Sequence, residues 1–479
     1  MRNVSFNKKH ILRSKILAPF ILSLTVLLTS NVCYSETEKS ILYIRNSNEN
    51  EIKEQFCKTA NCKAINIIKT DTREFANGNT FVRFIDNVSQ KNITILSPEV
   101  LDSNQFMELL IKIRIAKTDF AKSIQLYIPN SSQLVQVLDH DGKQIINNEL
   151  VKNLLASAGL QKINHKNLQV SQLKKSGSPN KTIVVDQGLN SELAKEIANN
   201  LDLKVYSLEQ AFEVTQTEKL KVIFVSSLSG EHNKSFIQSL NAIHQLKQMG
   251  SQITLVSPYL PYARSDKKDQ HGVAVTGRLA ADMIETSGTD AISFVRAHAP
   301  QSEGFFKIPT IQTMGRKTIN AFLAKLNVEQ IISPDAGFQK DATLYADDLK
   351  VPVSVVNKQR NLQTGESKLH GMSGPKVKGK IVAIIDDETA SGGTLGKVAE
   401  FLKKLGAAKV IAVVTHLSGN AEQALNSPAI DSLAVTDTFK ITKQHNKLSV
   451  LSVAKEISDD LKTVLKPNIS CQKIYSGSF

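Results

Sequence analysis

The sequence predicts an α/β protein made of tandem domains, each a mainly parallel sheet flanked by helices, and three observations carry that prediction. From about Lys181 short apolar runs alternate with amphipathic helical segments, the pattern of βαβ units. Residues 104–159 align without a gap on residues 233–288, at a constant offset of 129. A length of 479 residues, 41% hydrophobic and 22% charged, exceeds what one ordinary core holds and divides into two or three domains of a soluble globular protein.

The N-terminus reads as a secretory signal peptide over residues 1–35. Arg2, Lys8, Lys9, Arg13 and Lys15 precede an uncharged stretch from Ile16 to Ser30, and Cys33-Tyr34-Ser35 follows. That stretch falls short of the roughly 20 residues that span a bilayer. The expected chain is therefore exported, periplasmic or secreted, and touches a membrane only if the leader stays uncleaved. Losing five basic and no acidic residues lowers the formal charge from +14 to +9. The remaining excess suits anionic small substrates as well as plainly solvated lysines; without a Lys/Arg run interleaved with aromatics it does not suggest nucleic acid. Cys57, Cys62 and Cys471 lie beyond the leader. The first two are placed for a local disulfide in an oxidising compartment, and no Cys/His spacing resembles a zinc site.

The 129-residue offset brings Asn104, Pro129 and Gly159 onto Asn233, Pro258 and Gly288, with Ile111-Lys112-Ile113 on Leu240-Asn241-Ala242 and Ile124-Gln125-Leu126 on Ile253-Thr254-Leu255. An internal duplication explains a register held this long more economically than two independent αβ units. Residues 166–180, including Lys174-Lys175-Ser176-Gly177-Ser178-Pro179-Asn180, read as a linker. Predicted strands then fall at 183–185, 222–225, 253–256, 330–333, 353–356, 381–385 and 410–414. Helices are expected over 192–201, 233–249, 274–286 and from near Leu395 to Leu405.

The segment Asp386-Asp387-Glu388-Thr389-Ala390-Ser391-Gly392-Gly393-Thr394 carries the most specific chemistry. Glycines let the backbone turn so that successive amides point inward, and hydroxyls with a helix N-terminus complete a phosphate cradle. Asp386 and Asp387, at the strand's carboxyl end, are placed to accept hydrogen bonds from vicinal hydroxyls, directly or around Mg²⁺. A plain αβ turn with an N-cap would need none of this concentration of acids, glycines and hydroxyls.

This Asp-Asp-x-x-x-Ser-Gly-Gly-Thr pattern after an apolar strand resembles the phosphoribosyl-pyrophosphate motif of the type I phosphoribosyltransferase fold. With Tyr262-Ala263-Arg264-Ser265-Asp266-Lys267-Lys268, Ala297-His298-Ala299, Ser333-Pro334-Asp335-Ala336-Gly337 and Thr415-His416-Leu417-Ser418-Gly419 in order, residues 181–465 resemble ribose-phosphate pyrophosphokinase. The resemblance implies tandem phosphoribosyltransferase-like domains at 181–312 and 313–465, with a tail at 466–479. It also implies ATP and ribose 5-phosphate as partners, Mg²⁺ as cofactor and a homo-oligomer. Catalytic roles would fall to Lys358 and Arg360, ribose-phosphate binding to Asp386, Asp387 and Thr389 to Thr394 (including Ala390, Ser391, Gly392 and Gly393), ATP contacts to Arg264, Ser265 and Asp266, and metal ligation to His298 and Asp335.

Four departures stand out. Arg296 replaces an acid two residues before His298, Gln359 and Ser265 replace a basic residue and a glutamine, and no adenine-contacting hairpin lies between Leu203 and Leu220. A sequence similar to that hairpin lies upstream instead, at Glu74 to Arg83. Residues 41–165 therefore resemble a degenerate copy of the family's N-terminal domain, which would supply Phe75 and Asn77 to the ATP site, within the chain or to a second chain. Two further readings remain open: a catalytically silent ribose-phosphate/nucleotide-binding or regulatory relative, and a phosphoribosyltransferase that uses the ready-made diphosphate sugar.

Overall fold

The computed structural model describes residues 39–465 apart from 45–48, 61–64, 76, 130–133, 140, 165, 175–178, 180, 227–231 and 361–366. The leader, Cys62, Cys471, the tail and most of the glycine-containing part of the linker lie outside the described residues, as do the side chains of Gln359 and Arg360. Among the described residues no helix is long and apolar enough to cross a membrane.

Alongside two two-stranded sheets in the first unit, Thr70–Glu74 with Thr80–Phe84 and Val100–Leu101 with Gln136–Val137, three large sheets follow one another along the chain. The first runs Lys166–Asn167, Lys162–Ile163, Ser123–Tyr127, Asn92–Leu96, Lys39–Tyr43, Ile65–Ile67, and the second runs Thr310–Thr313, Ala291–Val295, Gln252–Val256, Leu220–Val225, Lys181–Asp186, Val205–Ser207. The two share one strand order, and all their pairings are parallel except that of the first sheet's edge strand, Lys166–Asn167. Residues 166–167, expected in the linker, are thus part of the first sheet. The helices Ser103–Thr118 and Asn148–Ala158 of the first unit correspond at the 129 offset to His232–Gln248 and Thr276–Ser287 of the second.

These helices form under local control. Asp102 and Gln105 make a reciprocal capping box at the start of Ser103–Thr118, worth about 1 kcal/mol for such a cap. That helix is buried almost all round, from Phe106 to Ala116, because it sits between its own sheet and the second unit. One apolar core runs through both units, joining Phe106, Leu110 and Leu154 with Phe236, Leu240 and Met283. At this seam His244 is 1% exposed, with Glu149 of the first unit 4.0 Å away. Burial holds the imidazole below its ordinary range, partly offset by Glu149. The unfolded chain then binds the proton more readily than the folded one, so stability is full above the ordinary histidine range and falls as pH drops through it. Thermal melts between pH 8 and about 5 are expected to show that decline, and His244→Gln to flatten it; an identical slope in the variant would contradict this account.

The third sheet runs Ser367–Ser373, Val353–Arg360, Gln330–Ser333, Ile381–Thr389, Lys409–Leu417, Ser432–Thr436, Leu448–Leu451, parallel except for its first pair. Val382 to Ile385 are fully buried, as their continuous apolarity requires. Two expectations shift. The strand continues through the acids to Thr389, and the next helix begins at Gly393 rather than near Leu395. The reason is pairing: Asp386, Glu388 and Thr389 keep register with Val414, His416 and Leu417 of the neighbouring strand.

Candidate active site

Strand order locates the site. From Gln330–Ser333 the chain steps to Val353–Arg360 on one side, then returns to Ile381–Thr389 on the other. At such a reversal the connections diverge and leave a crevice at the strands' carboxyl ends. Asp335 follows one of these strands, and Asp386 and Asp387 lie in the carboxyl-terminal half of the other, so the topology brings together acids 51 and 52 residues apart in sequence.

Burial and like charge set their electrostatics. Asp386 lies well above the usual carboxylate range, through burial first and then the adjacent Asp387 carboxylate, with Asp335 adding to the push. Burial also acts on Asp387, but the hydrogen bond and charge of His298 outweigh it and hold that group at about 2. Reciprocally, the bond to Asp387 raises His298. Lys358 Nζ is 3.8 Å from Asp335 Oδ2. The structure thus links Lys358 to Asp335 and His298 to Asp387 in one charged array. Arg360 lies on the same strand as Lys358.

The glycine-rich loop expected to hold a phosphate turns tightly between the strand and the following helix. Gly392 sits at φ 81° as the N-cap of the helix Gly393–Lys404 and makes no side-chain cap bond, while the Gly393 amide lies 3.4 Å from Ser391 Oγ. Thr389 Oγ1 accepts from the Gly392 amide at 3.1 Å, while the Ala390 and Ser391 carbonyls accept from Ala421 and Gln423 at 2.9 Å. The segment after Lys409–Leu417 therefore buttresses the loop from behind.

Arg296 is 5% exposed; it pairs with Asp341 at 2.7 Å and lies 4.7 Å over the Phe338 ring. Its cation is compensated within the fold, and its carbonyl accepts from, or faces, His416 Nε2 at 2.9 Å. Ser265 serves the loop's own structure: its hydroxyl accepts from the Thr276 amide at 3.2 Å and lies 3.4 Å from the Ala274 carbonyl. Asp266 accepts from Gln301 at 2.9 Å. Arg264 is 55% exposed, 4.0 Å from Glu388.

The upstream hairpin reaches the same region. Thr70–Glu74 pairs antiparallel with Thr80–Phe84, and Phe75, 45% exposed near its tip, packs edge-on against Phe81. Asn77 is buried beside Tyr259, and its Oδ1 accepts from the Asn79 amide at 3.2 Å. At the corresponding place in the second unit stand a short strand, Val205–Ser207, and the helix Leu208–Thr215, so no hairpin forms there.

Sequence reasoning gave no role to Glu388 and Tyr259. Tyr259 lies 3.4 Å from Glu388 Oε2, Ser418 donates to Glu388 Oε1 at 2.8 Å, and the Tyr259 ring contacts His416 and Phe439. At Asn77, Tyr259 and Glu388 three segments meet: the upstream hairpin, the loop after Gln252–Val256 and the strand Ile381–Thr389. The signal lay in period-2 alternation: a strand continued past Ile385 turns every second acid toward one face. Glu388→Met leaves the two hydroxyls without this buried acceptor, an expected cost of about 1–3 kcal/mol. Denaturant titration checks it, and an unchanged midpoint would contradict the assignment.

The fold defines an α/β protein of the phosphoribosyltransferase type, with a further α/β unit on its N-terminal side. A profile described as the N-terminal domain of ribose phosphate pyrophosphokinase matches residues 41–159 and again 182–288, and one described as a phosphoribosyl transferase domain matches 322–450. Among curated relatives, the ribose-phosphate pyrophosphokinase of Campylobacter jejuni is 30% identical over 289 residues, 57% of this chain and 93% of the relative. Ribose-phosphate pyrophosphokinase 2 of Schizosaccharomyces pombe is 32% identical over 266 residues, 52% of this chain and 82% of the relative. The crystal structure of phosphoribosylpyrophosphate synthetase from Mycobacterium smegmatis superposes with a TM-score of 0.53 at 26% identity, covering 60% of this chain and 99% of that one. The chain belongs to the ribose-phosphate pyrophosphokinase family.

Proposed function

We propose that the protein transfers the β,γ-diphosphoryl group of ATP to the anomeric hydroxyl of ribose 5-phosphate, giving phosphoribosyl pyrophosphate and AMP. The observation that carries this reading is the convergence of Lys358, Asp335, Asp386, Asp387 and His298 on the crevice beside an uncapped phosphate cradle. The loop from Thr389 to Thr394 holds the 5-phosphate, and Asp386 and Asp387 accept from the ribose hydroxyls. Arg264 and Asp266, with Phe75 and Asn77 of the upstream hairpin, hold the nucleotide. Ser265 shapes that loop. Lys358, with Arg360, neutralises the diphosphoryl oxygens as charge builds in transfer, so catalysis is alignment plus electrostatic stabilisation.

The residues fit Mg²⁺. A buried pair of carboxylates with one acid pushed upward calls for a cation, and His298 with Asp335 adds donors on the nucleotide side. Among the described residues no three acids, histidines or cysteines form a ready-made cluster, and Mg²⁺ ordinarily takes one or two carboxylates with phosphates and water. Bound there, Mg²⁺ would neutralise phosphate charge and polarise the diphosphoryl group.

Arg296 supports a second reading, a catalytically silent binding relative, because an arginine committed to Asp341, and no acid, stands two residues before His298. Purified protein with ATP, Mg²⁺ and ribose 5-phosphate separates the two. AMP formation dependent on the sugar supports the pyrophosphokinase; binding of both substrates with no AMP supports the silent relative. The basic and apolar leader supports export, which places the ATP source outside the cytoplasm. Sequencing the mature N-terminus is expected to find it near residue 36, and a start at Met1 in the native host would overturn export by cleavage.

A further inference from the structure

The first two units meet as equals. Helix Ser103–Thr118 packs on its counterpart at the 129 offset, His232–Gln248, and Asn148–Ala158 packs on its counterpart, Thr276–Ser287. Asn233 donates to Asn104, its own equivalent, at 2.7 Å. Self-equivalent helices in contact and a residue bonded to its own equivalent are the signature of an isologous, two-fold contact, ordinarily made between identical subunits. Here a single chain makes it with itself.

The pairing is symmetric in scaffold and one-sided in what it exchanges. The first unit sends its hairpin across: the Phe84 amide donates to the Gly272 carbonyl at 2.7 Å, Arg83 Nε to the His271 carbonyl at 3.3 Å, and the Thr80 amide to the Tyr262 hydroxyl at 3.3 Å. Asn233 also donates to Thr80 Oγ1 at 2.9 Å. A Cβ at Gly272, whose φ is +77°, would run into the Phe84 carbonyl, so that glycine permits the close approach. The second unit has Val205–Ser207 and Leu208–Thr215 in the corresponding place and sends no hairpin back.

We propose that residues 39–167 act as a built-in second subunit for the unit that follows. The face through which two identical domains would pair is filled within the chain, and each chain carries one complete nucleotide-facing site that needs no second chain. This deepens the function proposed above, on which its nucleotide arm rests; its structural arm does not depend on that function.

The structural arm uses Lys268 and Asp119, an ion pair across the seam at 2.7 Å on partly exposed side chains. The full chain bearing Lys268→Cys and Asp119→Cys, with native cysteines replaced by serine, is treated with a short bifunctional maleimide over serial dilution. A cross-link confined to single chains, its yield unchanged by dilution, is expected. Covalent dimers whose yield falls with dilution, or folded protein that does not cross-link, would overturn the proposal. The nucleotide arm mixes Asn77→Ala with Arg264→Ala, each expected to bind ATP at least tenfold more weakly by roughly the loss of one good contact. No recovery is expected on mixing, whereas recovery of about one quarter of the sites would mean that chains complete each other's sites. Full ATP affinity in both variants would sink the nucleotide reading and leave the cross-link to decide the pairing.

Discussion

Lys358→Ala is expected to slow AMP formation by about 10²–10³-fold while leaving ribose 5-phosphate affinity within a fewfold of the parent. Lys358 lies on Val353–Arg360 where the pairing with Ser367–Ser373 shifts register at Asn357/Lys358, an irregularity that turns the side chain toward Asp335. At one-fifth exposure its ammonium acts in a partly water-excluded setting, where a charge counts for more than in solution. On the proposed function it acts in the transition state, on charge that the ground state does not carry, so kcat is expected to fall and pentose binding is not. Lys358→Arg keeps the charge and is expected to recover part of the rate. Equal losses in ribose 5-phosphate affinity and kcat would make Lys358 a binding residue instead.

The second large effect is at Gly392. Gly392→Ala is expected to weaken ribose 5-phosphate binding by about 10–100-fold, the scale of one or two lost charge-assisted hydrogen bonds. At φ +81° a side chain is strained, and its Cβ would collide with the Ala424 methyl and press on the Ala424 amide. The loop must then move off the segment that supports it, and the amides at the start of Gly393–Lys404 lose their shared aim. Core residues such as Leu395 and Val398 are untouched, so the protein should remain folded. Calorimetric titration with ribose 5-phosphate reads the change; unchanged affinity would mean that the phosphate is held elsewhere.

Much of this was legible in the sequence because it rests on short-range rules. The alternation from Ile183 onward anticipated three strands of the second sheet and four of the third, but not Val205–Ser207, Ala291–Val295, Thr310–Thr313, Ser367–Ser373, Ser432–Thr436 or Leu448–Leu451, and the glycines around Ser391 anticipated the turn at Gly392. The unbroken offset from Asn104 to Gly159 anticipated a pair of units with one strand order. What escaped was set by tertiary contact. Glu388 acquires meaning only when Tyr259 and Ser418 close on it, and the strand's extension to Thr389 comes from pairing with Leu417. Ser265 read as a nucleotide contact because its neighbours Arg264 and Asp266 did, whereas its hydroxyl is engaged at the start of Thr276–Ser287. Arg296 read as a reversal of charge beside the metal-binding histidine. Asp341, forty-five residues on, supplies the opposite charge, which no local pattern announces.

The fate of the β-phosphate tests the central claim most directly. With ATP labelled at the β-position, Mg²⁺ and ribose 5-phosphate, the account predicts label in phosphoribosyl pyrophosphate and unlabelled AMP in equal amount. Label that stays on the nucleotide, as ATP or as ADP, would contradict it.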